Sequence, residues 1–264
     1  MNIGICIFRG LPLIKQIEFL KKNGVTHTFI SSEWEDFDGA MKLMCENGII
    51  CETLHAPYDK INDMWGSDPF AANRMLKRLK DAVKKCARYN IPVAIVHLSS
   101  GCPMPEITKQ GIRRYDRLMR YANRLGVKIA YENQRYLENI SFFMDRHPNA
   151  GFCYDIGHEN GFTHGIMFME HFGDRLCALH VHDNRCGDNT DDHLIPFDGN
   201  IDYSYATKYI ADSDFNGTMM LEISRNSRID GVNYYADLSD EEYYSRAAVA
   251  AKRLADMVES YKCK

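Results

Sequence analysis

The sequence contains no run of about 18 uninterrupted apolar residues, so a membrane-spanning helix is not expected. Its opening, MNIGICIFRG, has no basic stretch and no small-residue cleavage site, so a cytoplasmic location without export is expected. None of the nine cysteines stands in a C-x-x-C pair, and the number is odd. Cys6, Cys51, Cys153 and Cys177 lie inside apolar, strand-like runs. That usage favours reduced, buried thiols over disulfides and gives a zinc-thiolate centre little support. No basic run stands out, and 32 Lys and Arg against 36 Asp and Glu leave a net charge of −4, so the charge does not invite nucleic acid. No linker or low-complexity segment divides the chain, and no dedicated phosphate loop is visible.

What remains is a chain of 264 residues with 45% hydrophobic and 26% charged residues, the profile of one globular domain over 1–264. Short β-branched or apolar runs alternate with amphipathic helical ones. Eight strand candidates stand at 2–8, 26–31, 49–55, 92–98, 127–132, 151–155, 175–181 and 217–223. Asp68 followed by Pro69 makes an N-cap and first-turn pair, and Met75, Leu79, Val83 and Cys86 then recur at helical spacing. Ser239 and Glu242 form a capping-box pattern, while Gly24, Gly48 and Gly126 sit where helices should end. The stretch 156–174 is the weakest unit, with room for only a short helix. Eight βα units of this length predict a single (β/α)8 TIM barrel.

In such barrels the chemistry collects at the C-terminal ends of the strands. Here those ends carry His55, His97, Glu132, Asp155 (with His158 just beyond), His180 (with His182) and Glu222. The loop LHVHDNRCGDNTDDHL, 179–194, adds further aspartates and His193. Singly, each of these is most simply a hydrogen-bonded or solvated group. Together they put several carboxylates into one partly buried mouth, at a cost of several kcal/mol in repulsion and desolvation. A divalent cation removes that cost, and mixed imidazole and carboxylate donors suit zinc, manganese, cobalt or iron better than calcium.

The residues LHAPY (54–58), VHLSSG (96–101), YENQ (131–134), CYDIGH (153–158), ALHVHD (178–183), DDHLIPFDGNID (191–202) and LEIS (221–224) resemble the xylose isomerase-like TIM-barrel superfamily, in this order and spacing over nearly the whole chain. That superfamily holds sugar and sugar-phosphate isomerases and epimerases and also endonuclease IV-like AP endonucleases (AP endonuclease family 2). The resemblance implies a core metal set of Glu132, Asp155, His180 and Glu222, with His180 and Asp183 as its H-x-x-D pattern and His182 as a neighbour on the substrate side. The nuclease branch, with several zinc ions, adds His55, His97, His158, Asp191 and His193, all present. His158 is a substrate contact in ketose epimerases. Asp188 and Asp192 are expected to be solvated, and the DGN at 198–200 to turn the chain toward the next helix.

The rest of the chain leans away from the nuclease. Tyr58 is followed by Asp59 where an apolar wedge belongs, and QRYLE replaces the small, glycine-containing segment after Glu-Asn. That puts Glu138 six residues after Glu132, as in ketose 3-epimerases, where it contacts sugar hydroxyls; Arg185 is a second candidate contact. The expected activity is therefore a divalent-metal-dependent sugar or sugar-phosphate isomerase or epimerase, using zinc, manganese, cobalt or magnesium, one ion or more. Glu132 and Glu222 would exchange the proton beside a polarised carbonyl, and His158 would steady the oxygen. Tyr58, Trp65 and Phe8 would wall the sugar. The alternative is a phosphodiester hydrolase acting at abasic DNA. Partners expected are a small sugar and no membrane, with homo-oligomerisation left open and nucleic acid reserved for the alternative.

Overall fold

Gly24 and Gly48 take left-handed backbone, φ 69° and 71°, one residue past the caps of helices α1 (Leu13–Lys22) and α2 (Phe37–Glu46). Each lets the chain reverse into the next strand without a side-chain clash. The pattern repeats around a barrel. The structure, a computed structural model, describes residues 1–163, 166–187 and 189–262; the expectation for Asp188 lies outside the described residues.

The strands are β1 (Asn2–Ile5), β2 (His27–Ser31), β3 (Ile50–His55), β4 (Val93–Val96), β5 (Lys128–Glu132), β6 (Gly151–Asp155), β7 (Leu176–His180) and β8 (Thr218–Leu221). They lie parallel in the order β7-β6-β5-β4-β3-β2-β1-β8. A parallel bridge between Val181 and Leu221, with Glu222 N donating to Val181 O at 3.0 Å, closes β8 onto β7. All eight expected strands are present, each inside its expected range. Outside them run α3 (Pro69–Tyr89), α4 (Lys109–Arg124), α5 (Leu137–Arg146), α6 (Ile156–Phe162), α7 (Phe168–Phe172), α8 (Tyr203–Asp212) and α9 (Asp240–Lys262). The molecule is a (β/α)8 TIM barrel.

Local chemistry explains the boundaries. Asp68 Oδ1 accepts from Phe70 N at 2.8 Å and Pro69 opens α3. Ser239 and Glu242 bond reciprocally, Oγ accepting at 3.2 Å and Oε2 at 2.8 Å. The weak unit divides into the 7-residue α6 and the 5-residue α7. A small antiparallel hairpin, β9 (Arg228–Ile229) and β10 (Val232–Asn233), follows β8 and was not expected: two-residue strands carry no readable alternation.

The core between barrel and helices is aromatic and aliphatic, while β4 to β7 turn Val93, Ile95, Ala130, Cys153 and Ala178 inward as a small separate cluster. Because strand side chains alternate faces, the next inward positions toward the C-terminal ends are His97, Glu132, Asp155 and His180. The apolar pattern of the barrel's interior thus fixes which side chains emerge at its mouth. The described cysteines are free; Cys6, Cys51, Cys86 and Cys153 are buried, Cys177 is half-buried, and Cys45 and Cys102 are exposed. No helix among the described residues is long and apolar enough to cross a membrane.

Candidate metal centre at the barrel mouth

Parallel register brings the emerging side chains level. Asp155 pairs with His180 and Glu132 with Cys153; His55 pairs with Ile95, so His97, two residues on, faces the same way. Glu132 is the hub. Its Oε2 lies 3.1 Å from His97 Nε2 and 3.5 Å from both His55 Nε2 and His180 Nδ1, and its Oε1 lies 3.2 Å from His158 Nδ1. Glu222 Oε2 stands 3.0 Å from His180 Nδ1. Asp155 Oδ1 is 3.3 Å from His182 Nε2. Asp191 Oδ1 is 3.2 Å from His193 Nε2 and 3.6 Å from the Nε2 atoms of His158 and His182.

Overlapping sets of donors result, each with ligand atoms within 4.8 Å of one another; among them are Glu132, Asp155, His180 and Glu222; His55, His97 and Glu132; and His158, His182, Asp191 and His193. Several of these rings are oriented by backbone. His55 Nδ1 meets Ala56 O at 2.8 Å, His193 Nδ1 meets Glu222 O at 2.8 Å, and His158 Nδ1 meets Asn133 O at 3.1 Å. A carbonyl only accepts, so each ring donates from Nδ1 and keeps Nε2 as a lone pair for the mouth.

The donor set fits divalent cations. Asp155 Oδ2, both His180 nitrogens and His182 Nε2 are buried without a hydrogen-bond partner. Native interiors rarely leave such atoms unsatisfied, and a cation satisfies them. The electrostatics agree. Burial pushes the Glu132 and Glu222 carboxyls up, but the neighbouring imidazoles, His97 and His180 for Glu132 and His180 for Glu222, outweigh it and hold both below the ordinary range. Burial pulls the His193 ring down, but the Asp191 charge prevails and lifts it to about 10. The mouth demands positive charge, which protonated imidazoles supply when no cation does.

A further layer holds the donors. Asn133 clamps the Asp155 backbone, Nδ2 to O at 2.8 Å and Oδ1 from N at 2.7 Å, while Asp155 Oδ1 caps α6 through His158 N at 2.7 Å. Asp183 accepts from Asn184 N, Phe197 N and Ile201 N at 2.8, 2.8 and 3.1 Å, so the H-x-x-D aspartate folds the loop carrying Asp191 and His193. At Gly157 a Cβ would lie 2.0 Å from the His182 ring, so only glycine allows that approach.

The structure brings together every expected ligand: His55, His97, Glu132, Asp155, His158, His180, Asp191, His193 and Glu222. His182 sits among donor atoms rather than on a substrate wall. Tyr58 does face the cavity, stacked on His97 with ring centroids 4.9 Å apart. Trp65 does not: it is 3% exposed, donates its indole N–H to Leu98 O at 2.7 Å and packs on Tyr115 and Phe143 in the core. Phe8 packs against Tyr243 and Tyr244. Glu138 is exposed in the first turn of α5 and does not line the cavity. Arg185 is committed to Asp192, with Nε to Oδ2 at 3.0 Å and Nη2 to Oδ1 at 3.1 Å. That pairing corrects the expectation that Asp192 is solvated; its side chain is 7% exposed.

A cavity of about 250 Å³ opens beside the donors, walled in part by Gln134 and Arg135. Gln134 Nε2 donates to Glu132 Oε1 at 3.5 Å and lies 3.1 Å from His158 Nδ1. Phe162 stacks on His158 at 4.9 Å. Sequence reasoning missed Gln134 and Arg135 as cavity groups and Phe162 as the ring behind His158. For Gln134 and Arg135 the signal was their adjacency to Glu132; for Phe162 nothing in the sequence marked it.

The absence of a basic run also needs correction. Helices α3 and α4 hold Arg74, Lys77, Arg78, Lys80, Lys84, Lys85 and Arg88, then Lys109, Arg113, Arg114, Arg117, Arg120 and Arg124, against Asp81 and Asp116 alone. These helices form an outer flank, and none of their residues lines the cavity beside the donors.

The uncharacterized protein y4fM of Sinorhizobium fredii is 33% identical over 157 residues, 56% of this chain and 47% of its own length, so the chain spans about half of that relative. The crystal structure of D-psicose 3-epimerase with D-tagatose from Clostridium cellulolyticum H10 superposes with a TM-score of 0.77 at 18% identity, covering 98% of this chain and 99% of that one. The IOLI protein with a binding zinc atom superposes with a TM-score of 0.73 at 16% identity, covering 98% and 99%. Residues 13–260 match the family as a whole, and the chain belongs to the xylose isomerase-like TIM barrel family.

Proposed function

We propose that the chain is a divalent-metal-dependent sugar or sugar-phosphate isomerase or epimerase. The observation that carries this reading is that Glu132 and Glu222, from β5 and β8, bring carboxylate oxygens into one donor group with Asp155 and His180 and also face the same small cavity. Its volume, about 250 Å³, is just below the range of roughly 300–1,000 Å³ for drug-sized ligands and suits one sugar. The superposing D-psicose 3-epimerase supports the same class.

A bound cation would supply Lewis acidity to a substrate carbonyl, which acidifies the adjacent C–H. One of Glu132 and Glu222 then takes that proton, and the other returns one to the opposite face for epimerisation or serves the hydroxyl proton for isomerisation. In this reading His158, its Nδ1 fixed by Asn133 O and its ring stacked on Phe162, is protonated and donates from Nε2 toward the oxygen that gains charge, instead of holding an ion there. Tyr58, stacked on His97, covers the mouth.

The test is isotope exchange. In D2O with Mn2+ or Co2+ and a panel of ketoses, one carbon of the true substrate should gain deuterium. Phosphodiester cleavage never touches a C–H bond. One observation favours that second reading, the presence beside the core donors of two further groups, His55 and His97 with Glu132, and Asp191 and His193 with His158 and His182. Metal-dependent nicking of abasic duplex without exchange on any sugar would establish it instead.

A further inference from the structure

Among the described residues lining the 250 Å³ cavity, Arg135 is the one Lys or Arg. It follows Glu132 in the loop before α5. Its guanidinium carbon lies 3.7 Å from the centre of the Phe162 ring, and Phe162 in turn stacks on His158 with planes 20° apart. Nε donates to Asn189 Oδ1 at 3.4 Å. The cation is thus held against the aromatic ring that backs a metal donor. Among the described residues no carboxylate pairs with it. Asp191, in the same wall, is engaged by His158, His182 and His193. The other arginine considered for substrate, Arg185, is neutralised by Asp192.

We infer that Arg135 is a second anchor for the substrate, and that the substrate carries an oxyanion, carboxylate or phosphate, in addition to the oxygens that face the donor groups. This rests on the isomerase or epimerase reading and narrows its substrate class. The physical case is one of unspent capacity. A stacked guanidinium has already lost its rotamer freedom, so an incoming group does not have to order it. With Nε turned to Asn189, the two Nη groups present donors in a fork that fits an oxyanion bidentately. A neutral sugar filling the cavity would displace water from this cation and leave its charge uncompensated, which is unfavourable.

The experiment uses the metal-loaded full chain and the variants R135Q and R135K. Three probes are compared: a ketose active in the exchange assay, its terminal phosphate ester, and the corresponding keto-uronate. The wild-type chain should prefer one charged probe over the neutral ketose. R135Q should raise KM for that probe about 10- to 100-fold, the range expected for a lost charge-assisted pair, and leave the neutral ketose within about 3-fold. R135K should recover part of the loss. Which charged probe is preferred separates phosphate from carboxylate. Equal losses for charged and neutral probes, or no preference in the wild-type chain, would overturn the inference. Thermal shift gives a readout independent of turnover. If no sugar exchanges deuterium, the isomerase reading fails, yet a charged sugar that stabilises the wild-type chain and not R135Q still upholds Arg135 as an oxyanion anchor; equal shifts overturn it.

Discussion

His97 Nε2 and Glu132 Oε2 stand 3.1 Å apart, and through this contact one carboxylate joins the His55 and His97 set to the Asp155, His180 and Glu222 set. Glu132 is buried and also faces His55, His158 and His180. If both sets held a cation, Glu132 would be a donor common to the two. The donors exceed the four to six that one zinc or manganese ion takes. The purified chain is therefore expected to hold more than one ion, counted by plasma mass spectrometry. E132A should lose most of the metal, whereas H193A should lose only the ion held with Asp191. A single ion in the wild-type chain, unchanged in H55A, H97A and H193A, would remove the multinuclear arrangement and leave the Glu132, Asp155, His180 and Glu222 set standing.

In the proposed reaction, Glu222 is the position at which holding a cation can be separated from moving a proton. Replacing it with Gln keeps the shape and one donor oxygen but removes the base. Exchange of substrate hydrogen in D2O should fall at least about 10²-fold, the low end for a lost general base. Metal content measured on the same sample distinguishes the two roles. Full exchange in a metal-loaded E222Q would move the proton chemistry elsewhere.

Gly157 gives a test of the outer donors that touches no ligand. A Cβ there would come within 2.0 Å of the His182 ring, so G157A must displace either that ring or α6, which carries His158. The variant should fold, keep the ions at Glu132 and lose the one shared by His158, His182, Asp191 and His193. Unchanged metal content would show that His182 and His158 are not held together by an ion.

The legible part of this site was the part that alternation writes into a strand. Inward apolar residues such as Ile95, Ala130, Cys153 and Ala178 are followed two positions later by His97, Glu132, Asp155 and His180, so the strands announced both barrel and donors. The walls were harder to read, because they depend on where loops cross. Glu138 has the spacing of a sugar contact but lies on the exposed side of α5. Arg185 and Asp192 look like independent polar residues in sequence and pair only because the 183–194 bridge folds the loop back on itself. Phe162 is an ordinary helical aromatic until α6 sets it against His158.

Trp65 is the clearest case of a residue whose type misled. Aromatic rings often wall sugars, but this one is buried between Tyr115 and Phe143 with its N–H bonded to Leu98 O. W65A should destabilise the fold by about 3–5 kcal/mol, the usual loss for a large buried ring, read from the denaturant midpoint. KM of whatever chain remains folded should be unchanged. A variant of wild-type stability with a raised KM would return Trp65 to the substrate wall.

A pH-dependent contribution to stability is expected away from the barrel mouth. Asp116 on α4 accepts from Arg146 Nε and Nη2, both at 2.7 Å, at the end of α5, and lies 3.0 Å from His147 Nε2. The hydrogen bonds from Arg146 are the largest cause of a carboxyl held down to about 2, with partial burial opposing and His147 assisting. Because the folded value lies below the unfolded one of about 3.9, the pair stabilises the fold above that pH and the contribution is lost as pH falls toward about 2. His147, held below its ordinary value by burial, gains from the same carboxylate when it protonates. D116N should therefore lower Tm near neutrality by about 2–4 °C, for a contribution on the order of 1 kcal/mol after solvent screening. The gap from the wild-type chain should persist to about pH 4 and close between about pH 4 and 2. A gap that stays constant down to pH 2 would mean that Asp116 acts through shape and not charge.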